Sequence, residues 1–382
     1  MKSTTYIKNA QIVHENGIIW DGALIYEDEI IKAFGPERDM EIPTGSEVID
    51  ADGAYVGPGF VDIHVHGGAG FDTCLEAKKA AEHFLSHGET TILATPSYDD
   101  NFEELMEGIT CAKEAMETCE TVKGLYLEGP YTSPNYGANA INNPWRKDIP
   151  PEEFMAFVDN AGLFAKVWAI APERPDLLPF LEYARKVNPD CIFALAHSEA
   201  TPMEVRALGK YRPTIQTHSM NATGRRKVYG GTRAYGPDEY AFKEIDVFCE
   251  LISDSCGVHV HPEMQQLLLH NKGIERTILI TDSTTSNGDN PPHLAHVKDL
   301  NFDAYGGISG SRMTMDQACK NVMSSTNCGI AQAFYMAATT PARAIGMDNE
   351  IGSIYPGKKA DLVFTDDKFS VKRVIQSGKI KY

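Results

Sequence analysis

Between residues 59 and 283, short apolar runs alternate with longer stretches, several of them helical in their periodicity. The runs are Phe60–His66, Thr90–Pro96, Gly124–Glu128, Val167–Ala171, Ile192–His197, Thr214–His218, Val247–Asp254 and Thr277–Asp282. Continuous apolar runs of about 4–8 residues are what a parallel strand covered on both faces looks like. Helical patterns fall between them at 75–87, 102–117, 151–160 and 175–187, and Thr201-Pro202 opens another with an N-cap followed by proline. Eight strands alternating with helices predict an α/β fold, a (β/α)8 TIM barrel over residues 57–349. A doubly wound open sheet competes, but no Gly-x-Gly-x-x-Gly follows the first run. The ends read differently, as short strands and turns: 6–13, 22–26 and 30–34, then 360–379 with a turn at Asp366-Asp367. Neither end holds enough apolar residues for a core of its own. Residues 1–56 plus 350–382 are therefore expected to pack together as one small β-sandwich.

Composition narrows the function. The chain has 382 residues, 42% hydrophobic, and a formal charge of −18. A nucleic-acid partner would need a basic footprint, and the only tight basic triplet is Arg225-Arg226-Lys227. An anionic ligand would need a local positive site. No apolar run is long enough for a membrane span, and Met1–Asn9 lacks a signal-like hydrophobic segment. Eight cysteines are scattered without a Cys-x-x-Cys pair. The expectation is reduced thiols in a cytoplasm.

The chemistry sits at the ends of the runs. His64 and His66 are two residues apart on the first, so both project to one face. Glu128, His197, His218 and Asp282 end the third, fifth, sixth and eighth runs. In a barrel all six reach the same rim, where active sites lie. Each alone has a plain structural reading: a hydrogen-bonded core histidine, a turn cap, a helix N-cap. Together they would be costly without a positive partner, and a metal ion is one. The N/O ligand set without thiolate predicts a divalent ion, zinc first, with iron, manganese or cobalt also compatible. Such an ion activates water, and Asp282 is the candidate general base and acid.

These motifs resemble the metal-dependent amidohydrolase superfamily, and within it the N-acetylglucosamine-6-phosphate deacetylases. The resemblance rests on Leu127-Glu128-Gly129-Pro130, Ala171-Pro172-Glu173, Ala196-His197-Ser198 and Thr217-His218-Ser219-Met220-Asn221-Ala222. Gly257-Val258-His259-Val260, Thr281-Asp282, Gly310-Ser311-Arg312-Met313-Thr314-Met315 and Pro341-Ala342-Arg343-Ala344-Ile345-Gly346 extend it to the C-terminal region. It implies Glu128, His197 and His218 as the principal metal ligands and Asp282 as general base and acid. His64 and His66 match a second-metal position, giving one or two ions. Asn221, the Ala222 backbone and His259 match positions that hold a sugar phosphate. The implied partner is a small amino sugar phosphate, with no nucleic acid or membrane, and the implied assembly is a homodimer.

The chain departs from the family at two places. Asn139 stands where relatives carry His or Gln, so it would have to orient the acyl group. In place of an Arg-Glu-Pro-Gly stretch the chain has Thr223-Gly224-Arg225-Arg226-Lys227, with Arg233 further on, leaving the phosphate-binding arginine open. The alternatives are the same chemistry on N-acetylgalactosamine 6-phosphate or another amide, or a non-catalytic barrel.

Overall fold

A computed structural model of the chain describes residues 3–133, 135–137, 143–224, 229–285, 288–303 and 305–382. Eight parallel strands follow one another around a single sheet: β1 (Phe60–Val65), β2 (Glu89–Ala94), β3 (Val122–Tyr131), β4 (Ala165–Ile170), β5 (Ile192–Leu195), β6 (Ile215–Gln216), β7 (Phe248–Ile252) and β8 (Thr277–Ile280). Each is followed by a helix: α1 (Ala77–Ser86), α2 (Phe102–Met116), α3 (Pro151–Ala161), α4 (Leu177–Val187), α5 (Pro202–Ala207), α6 (Pro237–Lys243), α7 (Pro262–Lys272) and α8 (Met315–Thr326). This is the (β/α)8 barrel expected from the alternation. Local chemistry fixes the helix starts. Asn101 and Thr201 accept from the backbone of Glu104 and Glu204, whose side chains return the bond, so α2 and α5 both begin in capping boxes.

The last strand meets the first through polar contacts. Asp282 N–H donates to the His64 carbonyl at 3.1 Å, and His66 N–H donates to the Ser283 carbonyl at 2.8 Å. Asp62, fully buried on β1, accepts from the Thr281 hydroxyl and from His64 N–H. Burial pushes its carboxyl up to about 7 despite those donors.

The two chain ends form a second, mixed sheet of eight strands. Its seam joins Leu362–Thr365 antiparallel to Tyr55–Pro58, with Leu362 opposite Pro58 and Phe364 opposite Val56. Ile7, Ile12, Leu24, Val56, Leu362 and Ile375 fill its core. Gly57 lies against Phe334, whose ring a side chain at that position would strike.

Strands β5, β6 and β8 are shorter than the apolar runs suggested, and the cause bears on function. His197, His218 and Asp282 have φ of +40°, +29° and +46°. A left-handed residue cannot continue a strand ladder, so β5, β6 and β8 stop before these residues. The side chains are thereby turned off the strand line.

Arg174, just after β4, holds the loop that follows β3. Its guanidinium donates to the carbonyls of Thr132, Trp145 and Lys147 and forms a fork with Asp176, all at 2.7–3.2 Å. Arg174 is buried, and the Asp176 side chain is 9% exposed. Arg174→Ala would strand the Asp176 charge and three carbonyls. It should lower unfolding free energy by about 3–5 kcal/mol, read as a shift in the urea midpoint.

Candidate metal centre

Glu128 ends the apolar part of β3 and is surrounded by four imidazoles. Its Oε1 lies 2.7 Å from His197 Nε2 and 3.1 Å from His218 Nε2. Its Oε2 lies 3.1 Å from His66 Nε2 and 3.3 Å from His64 Nε2. Two triads result, His64–His66–Glu128 and Glu128–His197–His218, each with its ligand atoms within 4.8 Å of one another. Asp282 Oδ1 stands beside the first, 3.5 Å from His66 Nε2 and 3.8 Å from His64 Nε2. All six residues expected at the rim are together, and all are buried.

Three of the rings are fixed from behind. His64 Nδ1 lies 3.1 Å from the Glu250 carboxylate, His66 Nδ1 3.0 Å from the Pro96 carbonyl, and His218 Nδ1 3.2 Å from the Asn221 carbonyl. Those partners can only accept, so each Nδ1 is assigned as the N–H. The Nε2 lone pairs then point at carboxylate oxygens, an arrangement that calls for a cation between them. His64 Nε2 has no hydrogen-bond partner among the described residues. The donor set, four imidazole nitrogens and one carboxylate with Asp282 at its edge, fits a divalent ion.

Electrostatics agree. Burial raises the Glu128 pKa, but the facing His64 and His197 imidazoles outweigh it and hold the carboxyl well below its usual range. Burial lowers the pKa of His66, yet Asp282 and Glu128 bring it up to about 10. His64 is likewise raised well above its ordinary value, because Glu128 and Glu250 overcome burial. Burial also opposes ionisation of Asp282; its bond with His66 and the nearby His64 and His218 charges hold it below the usual carboxylate range. Of the four imidazoles only His197 is lowered, by burial.

The centre opens into a cavity of about 470 Å³, a size suited to a small ligand. His66, Glu128, His197, His218 and Asp282 form its floor, and Tyr98, Asn221, Ala222, Thr284 and Tyr305 are among its walls. Asn221 and Ala222 are thus where a bound molecule would meet them. His259 is not: it is buried behind the wall, with Nδ1 3.0 Å from Asp254 and Nε2 3.0 Å from the Gly310 carbonyl. Gly310 has φ +61°, and a Cβ there would come within 2.4 Å of the Asp282 carbonyl, so only glycine fits. Asn139, Arg225 and Arg226 lie outside the described residues. Arg233 is exposed and pairs with Glu239 at 3.7 Å.

Four participants escaped the sequence reading. Glu250 was readable in principle, as a lone carboxylate inside an apolar run. The carbonyls of Pro96 and Asn221 carry no residue-type signal. The wall from the hairpin Leu300–Phe302 and Ile308–Ser311 follows β8, beyond the alternating pattern.

The amidohydrolase family pattern matches residues 55–381. The chain is 26% identical to the N-acetylglucosamine-6-phosphate deacetylase of Bacillus subtilis strain 168, covering 100% of this chain and 98% of the relative. It is 29% identical to the N-acetylgalactosamine-6-phosphate deacetylase of Escherichia coli O157:H7, over 99% of each. Its fold superposes on the crystal structure of N-acetylglucosamine-6-phosphate deacetylase from Pasteurella multocida with a TM-score of 0.86, at 24% identity and over 99% of both chains. Among the described residues no helix is long and apolar enough to cross a membrane.

Proposed function

Because the chain belongs to the amidohydrolase family, whose pattern spans residues 55–381, we propose that it hydrolyses the acetamide of N-acetylglucosamine 6-phosphate to glucosamine 6-phosphate and acetate. The observation that carries this reading is the convergence of Asp282, His66 and the Glu128–His197–His218 triad on the floor of one cavity, with His64 buried beside Glu128. Relatives over nearly the full length of the chain bear deacetylase names. The E. coli relative supports a second substrate, N-acetylgalactosamine 6-phosphate.

Glu128, His197 and His218 would hold one divalent ion and His64, His66 and Glu128 a second, with zinc our first choice. When bound, such an ion supplies Lewis acidity and lowers the pKa of an attacking water. The chain's own groups do the rest. Asp282 takes a proton from the water as its oxygen joins the acyl carbon. It returns that proton to the nitrogen as the C–N bond breaks. One water is consumed, and acetate and a free amine result. Tyr98 packs its ring 4.8 Å from that of His197 and closes the cavity on that side. Asn221 and the Ala222 backbone would hold the sugar's far end, and Asn139 the acyl group. His259 would reach substrate only by leaving Gly310; otherwise it acts by fixing the hairpin. We place the enzyme in a reducing cytoplasm, as its eight free cysteines allow, and as a homodimer.

Acetate release from metal-loaded protein tests the reading. Both N-acetylhexosamine 6-phosphates, their unphosphorylated sugars and a cyclic amide form the panel. Turnover should be fastest on N-acetylglucosamine 6-phosphate and at least tenfold slower without the phosphate. Hydrolysis of the cyclic amide alone would sink the proposal.

A further inference from the structure

We propose that Glu250 is a positioning residue that makes the His64–His66 side of the centre able to hold its own ion. This rests on the metal-dependent reading above. Glu250 sits in the middle of β7 and is wholly buried. Its Oε2 accepts from His64 Nδ1 at 3.1 Å and from His218 N–H at 3.2 Å, while Oε1 has no hydrogen-bond partner among the described residues. A carboxyl group so placed is expensive to bury. A neutral residue would serve packing better, so its cost points to a task.

The task follows from geometry. His64 is wedged between the stacked Tyr126 ring, 4.5 Å away at 23°, and the rings of His66 and His218. Stacking limits tilt but does not choose which nitrogen faces Glu128. The contact with Glu250 does: it holds the proton on Nδ1 and aims the Nε2 lone pair at the centre. A carboxylate behind an imidazole also raises its basicity as a ligand. His66 and His218 obtain the same orientation from backbone carbonyls, which no substitution of a side chain removes. His64 alone depends on a side chain. Losing Glu250 should therefore free the His64 ring while the His218 ring stays held by Asn221. The two triads share Glu128 but differ in this dependence.

The test uses the full chain, stripped by chelator and titrated with Zn²⁺, with bound zinc counted after desalting and each affinity measured by calorimetry. Wild-type protein should take two ions. Glu250→Ala should keep the first ion within about threefold and weaken the second by about 100-fold, at the upper end of outer-shell effects. Glu250→Gln keeps an acceptor oxygen without the charge and should fall between, with about a tenfold loss. A purely structural role would shift thermal unfolding without separating the two ions. Equal weakening of both ions, or two unchanged affinities in both variants, overturns the proposal. So does a wild-type protein that takes one ion only, which leaves the hydrolase reading standing. Wild-type protein that takes no ion and is inert with zinc overturns the metal reading itself. Should Glu250→Ala not fold, the affinities of Glu250→Gln decide by the same criteria.

Discussion

Asp282→Asn is expected to lower kcat for acetate release by about 10³–10⁴-fold, at the upper end of what one general acid–base group contributes. Zinc content should be unchanged. Asparagine is a clean probe because the residue sits at φ +46°, a conformation that Asn tolerates better than most side chains. The Asp282 N–H bond to His64 O is a backbone contact and survives the change. What is lost is the carboxylate that accepts and returns the proton. KM should move far less than kcat, since the group acts on the reacting atoms and not on the sugar. Activity within tenfold of wild type would remove Asp282 from the proton path.

Glu128→Ala should have the larger structural consequence. The carboxylate serves both triads, one oxygen to each. Without it neither retains three ligands. Bound zinc should fall from two ions to less than about 0.2 per chain after desalting, and activity should fall below detection. Circular dichroism and gel filtration on the same sample separate metal loss from misfolding. Retention of one tightly held ion would show that the imidazoles alone suffice on one side.

How far sequence reasoning reached depends on where the signal resided. The barrel was legible because strands covered on both faces are largely apolar, and β1–β8 are, with buried polar residues such as Asp62 and Glu250 set among the apolar ones. The six rim residues were legible because polar side chains ending apolar runs are costly unless used. The strand ends were not. His197, His218 and Asp282 follow directly on the runs in sequence, but their backbone has left the strand, and only coordinates show a positive φ. His259 shows the opposite limit. Its motif suggested direct contact with substrate, whereas the fold turns it toward Asp254 and Gly310. Motif order is one-dimensional and does not distinguish a residue that lines a cavity from one that props its wall. Glu250 lay in plain view in the seventh run, but its partner, His64, is 186 positions away.

The join between β8 and β1 also bears on how the protein is made. Thr281 and Asp62, which bond across it, are 219 positions apart in the chain. The ligands straddle the same interval, from His64 to His218, with Asp282 beyond. Contacts of such separation form late, after most loop-closure entropy has been spent. A nascent chain that has emerged only as far as α4 carries His64, His66 and Glu128 but no closed ring to converge them. Metal capture by the full ligand set therefore cannot nucleate this barrel. It rewards a barrel already shut, and it acts afterwards as a brace from β1 and β3 across to the ends of β5 and β6.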